Sequence, residues 1–190
     1  MQNLKKISWS LILIITIAFS ACDETLIPKP RGFFRIALPE TTYVKDSCKQ
    51  FRAERLSSSL LTTKEDDPNW ITLHYPSLKA SLYLTYFKDS DLNKLGEDAR
   101  KSAYKHAIKA DDIIQMPFQI PKKSLCGIIY SIEGNAASPV VLQMTDSVDQ
   151  FIHGALYFDA EPNADSLKPV VYFVRQDIQH FIESFEWTNH

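Results

Sequence analysis

The chain lacks an apolar run long enough to cross a bilayer. Its one candidate, Trp9 to Phe19, is about a dozen residues where a spanning helix needs ~20. A resident transmembrane helix is therefore excluded there. It also lacks any basic run, and a mildly acidic chain of 21 Lys+Arg against 23 Asp+Glu is poorly suited to nucleic acid or to anionic lipid surfaces. Cysteine is scarce: beyond Cys22 only Cys48 and Cys126 remain, so a disulfide is possible outside the cytoplasm and is not demanded. The five histidines, His74, His106, His153, His180 and His190, form no H-x-x-x-H or H-E-x-x-H pair, and a metal site would need ligands from distant segments. There is no G-x-S-x-G elbow, no phosphate-binding or dinucleotide loop, no internal repeat and no low-complexity tract.

What is present at the N-terminus is an address. Lys5 and Lys6 precede the short apolar run, which closes on Ser20, Ala21 and Cys22, the pattern of a secretory signal ending at a lipidation site, with Phe19 where leucine is usual. Residues 1–21 are thus expected to be removed and Cys22 to carry acyl chains. Each buried methylene adds ~0.8 kcal/mol, so several chains hold where one is marginal. Loss of Lys5 and Lys6 leaves 19 basic against 23 acidic residues, a net charge of -4. Asp23, next to the cysteine, reads as inner-membrane retention under one sorting rule and as a surface signal under another, which leaves membrane and leaflet open.

Residues 22–32 read as the lipidated cysteine and a tether that Pro28 and Pro30 keep extended. Residues 33–190 suit a single domain. Strands are expected at Gly32–Leu38, within Val44–Leu56, and at Trp70–Tyr75 and Ala80–Phe87, the last two as a hairpin, with Ser57–Asn69 a polar surface loop. Leu92, Leu95, Ala99, Ala103, Ala107, Ala110 and Ile114 recur at helical spacing after the caps Ser90 or Asp91, which predicts one helix ending before Pro117. Leu125–Ile132, Val140–Thr145 and Phe151–Phe158 form a meander. A closing helix starts near Ser166 or Pro169 with Val171, Val174, Ile178, Phe181 and Phe185 on its apolar face, and Trp187 packs where it ends. The fold class is α+β, an antiparallel sheet of six to seven strands flanked by two long helices.

Thr145-Asp146-Ser147 with His153 invites comparison with a hydrolytic triad, yet Asp and Ser in a strand connection more simply shape the turn. Gly134 to Pro139 makes another tight connection. If the two turns lay side by side, Asn135, Ser138, Asp146 and Ser147 would form one polar interaction patch on a rigid sheet.

Several strings, P-K-P-R-G-F-F-R-I-A-L-P (Pro28–Pro39), G-N-A-A-S (Gly134–Ser138), T-D-S (Thr145–Ser147), H-G-A-L-Y-F (His153–Phe158), P-N-A-D-S-L (Pro162–Leu167) and D-I-Q-H-F-I-E-S-F-E-W (Asp177–Trp187), resemble in order the gliding-motility lipoprotein GldD family of Bacteroidetes. The chain departs from that pattern in having Asn69 rather than cysteine before Trp70. The resemblance implies a membrane-anchored accessory component of the gliding machinery and its type IX secretion system, and with no catalytic motif in the sequence the expectation is a non-enzymatic scaffold or assembly factor. It would lie outside the cytoplasm, without cofactor, beside other gliding lipoproteins and the membrane protein GldE. The order of elements also resembles the PsbP/Mog1-like α/β/α sandwich, a likeness of architecture only. A small-ligand or substrate-binding lipoprotein is the competing class.

Overall fold

The computed structural model describes residues 36–105 and 109–188. The leader, Cys22, the tether, Gly32–Arg35, His106, Ala107 and His190 lie outside them.

Alternation builds the large sheet. In β4 (Trp70–Tyr75) Ile71, Leu73 and Tyr75 are buried, and in β5 (Ala80–Lys88) Ala80, Leu82, Leu84 and Tyr86 follow suit. These two strands pair as the expected antiparallel hairpin. With β3 (Leu60–Thr63), β6 (Ala110–Ile120), β7 (Leu125–Gly134), β8 (Val140–Thr145) and β9 (Gln150–Phe158) they make a seven-stranded sheet ordered β3-β4-β5-β9-β8-β7-β6, every pairing antiparallel. A second sheet, β1-β2-β10, joins β1 (Tyr43–Ser47) and β2 (Phe51–Leu56) to the two-residue β10 (Glu186–Trp187).

The two helices cover opposite faces of the large sheet. Helix α1 (Leu92–Tyr104) is capped by Asp91, whose side chain accepts from the Asn93 and Lys94 amides. Its Ala103 packs with Tyr130, Ile132, Val141 and Ala155. Helix α2 (Ala164–Ser184) lies on the other face, where Val174, Ile178 and Phe181 share the main core with Leu82, Leu142 and Leu156. Phe51 of β2 meets both Phe181 and Phe185, and Trp187 stacks edgewise on Phe185, so the small sheet closes around the end of α2. The fold is α+β in an α/β/α arrangement. Where β9 passes under this core Gly154 leaves no room: a Cβ there would sit 2.7 Å from Leu84 Cδ2 and 2.9 Å from Leu142 Cγ. Gly154→Ala is expected to cost about 1–2 kcal/mol by overpacking, read as a lower urea midpoint at unchanged slope.

Five expectations change. Ile36–Thr42 carries no regular structure, so the part of the first predicted strand that is described is not one. Val44–Leu56 resolves into the hairpin β1–β2, and the polar loop after it contains β3. The long helix stops at Tyr104: Ala110 and Ile114 stand on β6, and Pro117 lies inside that strand instead of ending a helix. β6 is an edge strand, where a proline costs no ladder bond if its nitrogen faces outward. Finally α2 begins at Ala164, because Asn163 accepts from the Ser166 amide, and Pro169 sits inside the helix.

Candidate functional site

Helix α2 covers the main-core face of the large sheet as far as Leu125 of β7 and leaves the edge strand β6 only partly covered. Between that edge and α2 runs a groove of about 650 Å³, floored by Ile114, Met116, Phe118 and Ile129 and walled by Ile178 and Ile182 of the helix. Ile114 is 46% exposed and Met116 40%, unusual for large apolar side chains beside a core. The floor follows from β6 itself, since Ile114, Met116, Phe118 and Ile120 alternate onto the α2 face. Gly127, opposite Phe118, leaves room for the tip of its ring, since a Cβ there would sit 2.7 Å from Phe118 Cζ.

At one end stands Arg175. Its Nη1 donates to Glu133 Oε1 at 2.7 Å and its Nη2 to the Pro139 carbonyl at 3.4 Å, while the buried Nε has no partner. Hydrogen bonding from Arg175 holds the Glu133 carboxyl below its ordinary value, a pull that burial partly opposes. The groove is thus an apolar trough with the Arg175–Glu133 ion pair at one end and Glu183 also in its lining, an arrangement that receives apolar side chains.

On the opposite flank of α2 lies a polar cluster. Asp177 is buried; the Tyr75 hydroxyl donates to its Oδ2 at 2.6 Å and its Oδ1 has no hydrogen-bond partner. One turn on, His180 stacks on Tyr43 with ring centroids 3.6 Å apart and pairs with Glu54 Oε2 at 2.9 Å. These contacts tie β1 and β2 to the helix. Burial raises the Asp177 carboxyl above its ordinary value, against the Tyr75 hydrogen bond and the nearby His180. A raised acid binds more protons folded than unfolded, so its penalty is complete above the folded value and is relieved as the pH falls through it. Asp177→Asn is therefore expected to be more stable than the parent at pH 7, with the gap closing as the pH falls toward about 4. Urea midpoints of both proteins across that range check this; a gap that widens on acidification refutes it.

The four residues expected to form one patch are not brought together. Asn135 and Ser138 lie between β7 and β8, Asp146 and Ser147 between β8 and β9, so the length of β8 separates the pairs, as consecutive turns of a meander fall at opposite ends of the sheet. Their side chains serve local structure. Asn135 Oδ1 accepts from the Ala164 amide at the start of α2, and the buried Ser138 hydroxyl donates to the Val140 carbonyl. Asp146 Oδ1 accepts from the amides of Val148, Asp149 and Gln150, which hold its carboxyl low against the opposing effect of burial. Ser147, at φ 64°, lies 3.2 Å from Cys126 Sγ, and the buried His153 Nε2 has no partner. No triad contact joins the three. Cys48 and Cys126 are free thiols. Among the described residues no cluster of three or more His, Cys, Asp or Glu could hold a metal, and no helix is long and apolar enough to cross a membrane.

The fold and groove define a small α/β/α domain whose large sheet ends in two edge strands, β3 and β6, with the groove beside β6. The chain belongs to the gliding motility lipoprotein GldD family, which it matches over residues 23–187. No curated protein matches it. Among solved structures it is similar to the solution structure of cyanobacterial PsbP (CyanoP) from Synechocystis sp. PCC 6803, at 12% identity and TM-score 0.43, covering 83% of this chain and 98% of that one. As a member of this family it is a lipoprotein with an accessory part in gliding motility.

Proposed function

We propose that the chain is a non-enzymatic scaffold or assembly factor of the gliding machinery and its type IX secretion system, held to an envelope membrane through lipid on Cys22. Its partners on this reading are other gliding lipoproteins and GldE. The observation that carries the docking role is the groove beside α2, open along its length and lined by exposed Ile114 and Met116 on a rigid sheet. A pre-organised face of this kind binds without a large ordering cost. The turn residues Asn135, Ser138, Asp146 and Ser147 belong to the platform that holds this face.

Deleting the gene should abolish colony spreading and export of secreted adhesins, and the intact gene supplied in trans should restore both. Normal spreading in the deletion strain would overturn the reading. The groove's volume also favours a second reading, a small-ligand or substrate-binding lipoprotein, which predicts a saturable small molecule that co-purifies with the domain and is lost on Met116→Arg.

A further inference from the structure

We infer that the outer edge of β6 takes an extended segment of a partner protein as an eighth strand, its alternate side chains filling the groove. The inference rests on the scaffold reading above. β6 ends the sheet order and, among the described residues, no strand pairs beyond it. Its backbone polarity follows from Pro117. Opposed residues in an antiparallel ladder alternate between pairs that exchange both hydrogen bonds and pairs that exchange none, and a proline cannot be of the first kind. Pro117 opposite Ile128 is therefore a non-bonded pair, and so are Gln115 opposite Tyr130 and Gln119 opposite Cys126, two residues to either side. The amides of Gln115 and Gln119, with the carbonyls of all three residues, point away from β7 to the open edge.

A strand laid there meets main-chain donors and acceptors on one side and the trough on one face, the combination by which sheet-edge recognition gains affinity from backbone bonds and specificity from pockets. Every second residue of the guest lies beside Ile114, Met116 and Phe118, so these should be apolar. Asp111 and Asp112 flank one end of β6 and Lys122 and Lys123 follow the other. Lys123 Nζ donates to the Glu183 carbonyl, so the guest carries a cation toward Asp111 and an anion toward the exposed Lys122. Edges are commonly blunted by charge, proline or a bulge, and β6 has a register shift between Ala110 and Asp112. Those devices do not account for exposed Ile114 and Met116 beside an open trough. A second copy of the chain fits worse, because two-fold pairing of β6 with itself spends Pro117 twice.

The test uses the full lipidated chain in its native envelope, with a photo-reactive phenylalanine analogue replacing the exposed Gln119. Illumination should give one discrete adduct whose cross-linked peptide is an alternately apolar segment. Gln115→Pro, which removes one outward donor, should lower the adduct about tenfold, the order expected for one lost ladder bond. Gln115→Ala, which loses only the side-chain bond to the Tyr104 hydroxyl, should leave it unchanged. Should the proline variant fail to accumulate, Met116→Arg keeps every backbone donor and charges the trough, and must lower the adduct similarly. No adduct, an adduct indifferent to the decisive variant, or an adduct with a second copy alone would overturn the inference. A normal adduct pattern in a strain whose deletion mutant still glides would instead overturn the scaffold reading and leave strand addition standing.

Discussion

A Cys22→Ala chain is expected to carry no lipid, either appearing in the soluble fraction or staying at the membrane only through its uncleaved leader, and to fail to restore spreading in a deletion strain. Cys22 is the sole cysteine at the end of the apolar run, so no neighbour can accept the lipid in its place. Several acyl chains give an effectively permanent anchor where one gives marginal binding, so the change is between nearly all and nearly none held by lipid. Mass spectrometry of the mature N-terminus and fractionation check it. A wild-type protein that begins unmodified at Ala21 or Asp23 would refute the anchor.

The second large effect is expected at Gly127. A Cβ there would collide with the backbone carbonyl of Gln143 on the neighbouring strand and come within 2.7 Å of Phe118 Cζ. The Phe118 ring can give way, but the carbonyl belongs to the β7–β8 ladder and cannot move without the sheet. Gly127→Ala should therefore cost about 3 kcal/mol or more, beyond most overpacking changes, against a total of about 5–15 kcal/mol for a typical domain. Loss of the cooperative unfolding transition near 25 °C, or a urea midpoint lowered by about half, would be the sign. A variant with the parent's midpoint would mean that β7 and β8 can separate locally at no cost. Because the same glycine lets Phe118 floor the groove, a folded variant would still have an altered trough.

The strands that cross the middle of the sheet were legible because both of their faces are buried or half-buried and their ends are punctuated. Trp70–Tyr75 stops at Pro76, and Val140–Thr145 lies between Pro139 and Asp146, with the structure matching both boundaries. The edge was misread for a definite reason. Ala110 and Ile114 continue the three- and four-residue spacing of α1, and the competing alternation of Ile114, Met116, Phe118 and Ile120 crosses a proline that usually ends a helix. On an edge strand that proline is harmless, and edge position is a property of the assembled sheet.

The polar patch failed for a related reason. Asn135, Ser138, Asp146 and Ser147 were legible as turn formers; the side chains of the first three do satisfy backbone groups, and the Ser147 amide donates to the Thr145 hydroxyl. Their separation depends on strand direction: a meander that reverses at each turn sends consecutive connections to opposite ends.

By itself the amino-acid sequence determined the fold class and the family, because these are written in periodicity and in strings that stand in order along the chain. Only the tertiary structure decided that β6 is an edge strand, that α2 leaves a trough beside it, that Asp177 is buried against Tyr75, and that Gly127 admits no side chain. Each of these depends on contacts between residues far apart in the chain, whose energies are set by which surfaces meet after collapse, and no local pattern records which those are.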